Sequence, residues 1–208
     1  MPSVSFDPLL PGAAGARAQE RSDAARNREL LLSAARQLVG ECGVESLTMG
    51  QLAERAGVGK GTVFRRFGSR AGLMMALLHD AEAEFQGRFM FGPPPLGPGA
   101  PPLERLVVFG AERIRYILTY GELVRAAEAS LHNRFDAPPA VLWRRHLEHL
   151  LRQAGFDGDP WVMALSLAAT LDPEWVLHAV QEQHVPPERL EETWRRLAVG
   201  VVRAADRL

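Results

Sequence analysis

Residues 47–73 read LTMGQLAERAGVGKGTVFRRFGSRAGL. Thr48 with Gln51 three residues on forms a capping box, in which each side chain serves the other's backbone N–H, so a helix starts there. Leu52, Ala53 and Ala56 make its apolar face, and Gly57 ends it. A second short helix spans 60–67, and Ser69 can cap the next. Two short helices around a glycine turn are the layout of a helix-turn-helix, whose second helix enters a DNA major groove.

A helix turns about 100° per residue, so Val63 and Phe67 share one face of the 60–67 helix and point inward. Thr62, Arg65 and Arg66, spaced i, i+3, i+4, share the opposite face. Arginine can pair with guanine edges or grip phosphate, and threonine can reach phosphate or a thymine methyl. Gly57, Gly59 and Gly61 allow a sharp turn and close backbone approach. A surface helix with a solvated basic face is the alternative that these residues alone leave open.

Working outward, residues 1–21 are rich in Pro, Gly, Ala and Ser without a period, and read as a flexible arm. From residue 22 the pattern is helical. Leu31, Ala34, Ala35, Leu38 and Cys42 fall on one face, and Gly43 stops the helix. Downstream, the helix after Ser69 carries Leu73, Leu77, Leu78 and Phe85 toward Phe91. Residues 92–102, GPPPLGPGAPP, read as an extended, semi-stiff linker between two parts, or as a loop insertion with no mechanical role.

Further helices follow over 103–119, 121–131, 139–154, 159–183 (interrupted near Asp172-Pro173) and 186–208. No stretch shows strand alternation. The expected fold is all-α with about nine helices: a three-helix helix-turn-helix domain over 22–70 and a second helical domain over 71–208.

Charge agrees with the motif. The chain carries a net charge of −1, yet residues 21–70 hold nine basic and five acidic side chains. A basic end on an acidic body suits a surface offered to phosphate. Hydrophobic residues at 47% supply a core. Cys42 is the single cysteine, so no disulfide within the chain can form. No signal peptide or membrane-length apolar run is present, and a cytoplasmic, nucleoid-associated protein without membrane contact is expected.

Several other chemistries fail on spacing. GVGKGT at 57–62 resembles a phosphate-binding loop, but the first glycine of that pattern would fall at Glu54 and the hydroxyl position is Gly61. Neither Gly-x-Ser-x-Gly nor His-Glu-x-x-His occurs, so no enzyme and no cofactor are expected. His146 and His149 lie three apart with His132 upstream, but nothing completes a metal-ligand set, and no metal is expected.

In the second part, Tyr116, Tyr120, Trp143, Trp161 and Met163 come from separate helices. They could line an apolar pocket with Arg125 or His146 as polar handles, or form plain core. Leu190, Trp194, Leu197, Ala198, Val201 and Val202 make a broad stripe on the last helix, and Trp175 and Val176 lie on the helix before it. Such a stripe packs within one subunit or against a second copy.

Residues 27–73 resemble the DNA-binding region of the tetracycline-repressor (TetR) family of bacterial regulators. The helix over 27–42, the Leu47-Thr48 start, LAERAGV at 52–58, KGTVFRRF at 60–67 and Ser69-Arg70 follow its order and spacing without a gap. The resemblance implies DNA contacts from Thr48 and Met49, from the recognition-helix tip at Lys60, Gly61 and Thr62, and from Phe64, Arg65, Arg66 and Arg70. It implies that Thr48 and Arg70 contact phosphate, while Arg65 is the best candidate to read a base.

Phe64 stands where the family often has tyrosine, which removes a phosphate hydrogen bond. Arg66 stands where histidine is frequent. Gly50 offers no side chain at a position that sometimes reads a base. The resemblance also implies homodimerisation through the last two helices, with Trp175, Val176, Leu190, Trp194, Leu197 and Val201 at the interface.

These readings converge on a transcriptional repressor. It would bind a palindromic double-stranded DNA operator as a homodimer and be released by a small-molecule effector. Two alternatives stay open: a DNA-binding regulator without such an effector, and a helical dimeric adaptor that no longer reads DNA.

Overall fold

The computed structural model describes residues 12–128 and 137–204. Among them the secondary structure is entirely helical: α1 (Gly12–Ser46), α2 (Met49–Arg55), α3 (Lys60–Phe67), α4 (Arg70–Phe91), α5 (Pro102–Glu128), α6 (Pro138–Gln153), α7 (Pro160–Ala169), α8 (Pro173–Gln181) and α9 (Pro187–Ala204). None of these helices is long and apolar enough to cross a membrane.

The local signals act where the sequence put them. Thr48 and Gln51 form both halves of the capping box that starts α2. Ser69 caps α4 through the Gly72 N–H, and Asp159 and Asp172 cap α7 and α8 with proline at the first helical position. Gly43 leaves helical geometry at φ 77°, which turns the chain so that Val44 and Leu47 enter the head core.

Three expectations need correction. The backbone is helical from Gly12, so the second half of the supposed arm over 1–21 continues α1; residues 1–11 lie outside the described part. No break occurs at Gly121, and α5 runs on to Glu128. That glycine is a packing device: a Cβ there would lie 2.9 Å from Leu177 Cδ1, so its absence lets α8 lie close against α5.

The third correction concerns residues 92–102, which fold back rather than run extended. Leu96 is buried in the body core. The buried Arg105 guanidinium donates to Leu96 O (3.3 Å) and Phe89 O (3.1 Å), tying the loop to the end of α4.

Two hydrophobic cores result. The head core collects Leu31, Ala35, Leu38, Leu47, Leu52, Val63, Leu73 and Leu77. The body core begins with Leu78, one residue later on α4, and takes in α5 to α9. Helix α4 therefore serves both. Arg36 of α1 pairs with Asp80 and with Glu84 (3.1 Å) on α4, and Tyr120 and Leu123 of α5 pack on the head core as well as on the body.

The stripe on α9 divides. Leu190 and Trp194 are buried within the subunit, as is Val176 of α8, and Val201 is half-buried against the body core. They pack α8 and α9 onto the same chain. Trp175 (49%) and Leu197 (39%) stay exposed.

Candidate nucleic-acid interface and body cavity

The recognition helix is anchored by one residue above all. Val63 is fully buried, and Phe67 is half-buried against the head core. Gly57 at φ 65° makes the turn between α2 and α3, closed by Val58 N–H to Ala53 O at 2.9 Å. With Val63 inside, Lys60, Gly61, Phe64, Arg65 and Arg66 are exposed and Thr62 is half-buried. Arg65 Nη2 donates to Thr62 Oγ1 at 3.2 Å, so the two outward groups already touch.

Not every expected contact residue faces outward. Met49 is buried in the head core, which removes its side chain from the surface and corrects that assignment. The Thr48 hydroxyl donates to Gln51 Oε1 (2.7 Å) and accepts from Gln51 N–H (3.2 Å). Its one proton is engaged, so donation to a phosphate requires that bond to open. Arg70 donates to Leu47 O (3.1 Å), Val44 O (3.2 Å) and Glu45 O (3.0 Å). It braces the α1–α2 turn, a role that its spacing did not suggest.

Gly50 has a use the sequence hid. A Cβ there would sit 3.4 Å from Lys60 Cε and 3.7 Å from Nζ, so the bare glycine leaves the lysine room beside α2. The positive charge of the head is partly committed elsewhere. Arg55 is held by both oxygens of Glu41 (2.9 and 2.5 Å), and Arg36 by Asp80 and Glu84.

The body holds a cavity of about 260 Å³. Met75 and Leu78 of α4, Val124 of α5 and Trp143 of α6 give it apolar walls. Glu82 and Arg113 also line it, both buried and paired at 3.5 Å. Sequence reasoning missed this pair. The signal was present: Glu82 interrupts the apolar face of Leu78, Ala81 and Phe85, as Arg113 does among Phe109, Ile114 and Tyr116.

Of the seven residues proposed for a pocket, Trp143 alone lines this cavity. Tyr116 and Tyr120 line a second, more polar cleft beside Arg36, Glu84 and Arg115. Burial pushes both phenols up. Arg125 is exposed and pairs with Glu122 at 3.4 Å. Trp161 is half-buried, with the Arg145 guanidinium 4.4 Å from its ring centre. Neither Arg125 nor Trp161 lines the main cavity.

His146 sits in the aromatic core, 4.6 Å from the Phe89 ring centre and 5.4 Å from that of Phe109. His149 is exposed, and His132 lies outside the described residues. Among the described residues no group of three or more His, Cys, Asp or Glu is placed to hold a metal. Burial, and after it the charges of Arg105 and His149, push the His146 pKa down to about 4 from 6.5.

The sign of the resulting pH dependence follows from proton counting. Between pH 6.5 and about 4 the unfolded chain binds a proton that the folded chain refuses. The contribution of neutral His146 is therefore complete above 6.5 and is lost as pH falls through that window. Each unit of pH across the interval costs about 1.4 kcal/mol. His146→Phe is expected to flatten the stability–pH curve there; an unchanged slope in urea melts would reject this role.

An all-helical body joined to a helix-turn-helix head through a shared helix is the class of protein that this fold defines. Residues 31–77, which span the helix-turn-helix head, match the family described as bacterial regulatory proteins, tetR family.

Solved structures extend the likeness of fold to the body. A structure described as a TetR-family transcriptional regulator from Rhodococcus sp. has a TM-score of 0.59 at 19% identity, over 86% of this chain and 99% of that one. A transcriptional regulator from Saccharomonospora viridis, in complex with choline, has a TM-score of 0.64 at 16% identity, over 82% and 94%. A further regulator from Rhodococcus sp. Rha1 reaches 0.59 at 20% identity, over 85% and 96%. No curated protein matches the sequence.

Proposed function

We propose that the protein is a homodimeric transcriptional repressor of the bacterial cytoplasm that binds a palindromic operator and is released by a small organic molecule held in the body. One observation carries the DNA-binding part: Val63 is fully buried while Arg65, Arg66 and Lys60 lie on the exposed side of the same helix. Arg65 reads a base edge and Lys60 and Arg66 hold phosphate. Exposed Trp175 and Leu197, with Val162 and Leu165 on α7, offer apolar surface for a second copy.

Release follows from the shared helix. Met75, Leu78 and Glu82 of α4 border the cavity, and Met74 and Leu77 of the same helix pack in the head core. A molecule that favours one position of α4 thereby favours one spacing of the two heads. It shifts the equilibrium only by its difference in affinity for the two states. A neighbour of the same fold holding choline supports the reading that such a body can accept an organic ligand.

Selection from random-sequence DNA at moderate salt tests the proposal. Enriched sites should hold inverted half-sites about one turn, ~34–36 Å, apart. Absence of both enrichment and salt-dependent binding would favour the adaptor reading instead. On the selected site, Arg65→Ala is expected to cost about 1–3 kcal/mol and relax preference at one position. Arg70→Ala should weaken all sequences alike and also lower head stability, because three carbonyls lose their donor. Small, equal losses with unchanged specificity would reject these roles.

A further inference from the structure

We infer that Gly50 is a positioning residue for DNA binding: its bare backbone seats the Lys60 side chain along α2, so that the ammonium lies beside Thr48 and takes one phosphate of the duplex there. The inference rests on the DNA-binding role proposed above and names a residue that sets one of its contacts. Gly50 is the second residue of α2, and its backbone has no positive φ that would require glycine. Glycine within a helix is less favourable than alanine, so backbone geometry gives no reason for it. Its surroundings give one. The place of a Cβ on Gly50 lies 3.4 Å from Lys60 Cε, 3.7 Å from Lys60 Nζ and 3.9 Å from Thr48 Oγ1. Ammonium and hydroxyl therefore flank a single point on the surface of α2.

Contact distance sets how much can be added at this point. Carbon atoms pack at about 3.5–4.0 Å, so one methyl group at position 50 meets the lysine stem at ordinary contact. A longer side chain takes the volume of Cε and Nζ. The lysine is exposed and its stem is flexible, so it swings away without disturbing the head core. Charge makes the seat matter. Among the described residues Lys60 has no ion-pair partner, whereas Arg55 is held by Glu41 and Arg36 by Asp80 and Glu84. Arg70 is engaged by three carbonyls. The Lys60 ammonium is thus a cation that the head leaves for a phosphate, and Gly50 fixes where it stands.

Fluorescence anisotropy of the full chain on a duplex of about 20 base pairs, taken from about 50 to about 200 mM salt, reads the number of phosphates neutralised. Lys60→Ala is expected to lower the slope of log K against log salt by about 0.9, and to weaken binding on the order of tenfold at the low-salt end. Gly50→Leu removes no charge, yet it should reproduce both changes. Gly50→Ala should stay within about twofold of the parent, with the parent's slope. Gly50→Leu added to Lys60→Ala should weaken binding by less than about a further twofold. Gly50→Met gives the same reading where the leucine variant does not fold.

An unchanged slope in Gly50→Leu or in Lys60→Ala would overturn the inference. So would a leucine loss that adds in full to the Lys60→Ala loss, because that marks a collision of the new side chain with DNA. An alanine loss equal to the leucine loss would overturn it too, since a methyl group leaves the lysine in place. Absence of salt-dependent binding by the parent chain rejects the DNA-binding role itself and the inference with it. Salt-dependent binding that the variants leave unaltered rejects the inference alone.

Discussion

Trp194→Ala is expected to lower the unfolding free energy by about 3–5 kcal/mol, a large part of the stability of a domain this size. Trp194 is 2% exposed, and its indole N–H is shared between Leu106 O and Val107 O, each at 3.1 Å. It locks α9 onto α5. The close approach depends on Gly110, where a Cβ would fall 1.9 Å from Trp194 Cε2. Gly110→Ala should therefore destabilise by a comparable route, overpacking instead of a cavity.

Urea melts followed by far-UV circular dichroism check both. Where the alanine variant does not fold, Trp194→Phe should still show an intermediate loss, since it keeps a ring and drops the hydrogen bond. A loss below about 1 kcal/mol for Trp194→Ala would show that α9 is held elsewhere.

The second large effect concerns Glu82 and Arg113. Each single replacement, Glu82→Leu or Arg113→Met, leaves its partner as an uncompensated buried charge and should cost about 3–5 kcal/mol. The pair is buried on both sides, at 10% and 4% side-chain exposure, so solvent does little to screen the loss. The double replacement removes both charges and keeps apolar bulk. It should cost far less than the two singles together, giving a strongly non-additive cycle. Additive losses would mean that the two groups act independently, through Gln86 on one side and the aromatic cage on the other.

The helix-turn-helix was legible because it is local. The Thr48–Gln51 box, the Gly57 turn, the Ser69 cap and the Val63/Phe67 spacing are decided by residues within a few positions of one another. Helical periodicity then carries the polarity of α3 directly. The same locality made Asp159-Pro160 and Asp172-Pro173 readable as starts of α7 and α8.

The body site was barely legible. Tyr116, Trp143 and His146 are alike as aromatic residues on helical faces, and nothing in their spacing says that one lines a space while another fills the core. Glu82 and Arg113 stood out of their apolar stripes, yet they are 31 residues apart, and pairing across two helices is not a sequence pattern. The stripe on α9 was ambiguous for a related reason. An apolar face on α9 states that something covers it, without stating whether the cover is α5 of the same chain or a second copy.

What the sequence by itself determined, then, is the all-α class and the position and facing of the recognition helix, because caps, turns and helical periodicity are short-range. What only the tertiary structure decided is where the apolar and charged side chains of separate helices meet: Trp194 over Gly110, Arg70 across the α1–α2 turn, and Glu82 with Arg113 beside one cavity. Those are long-range contacts, set by how helices pack, and no local pattern encodes them.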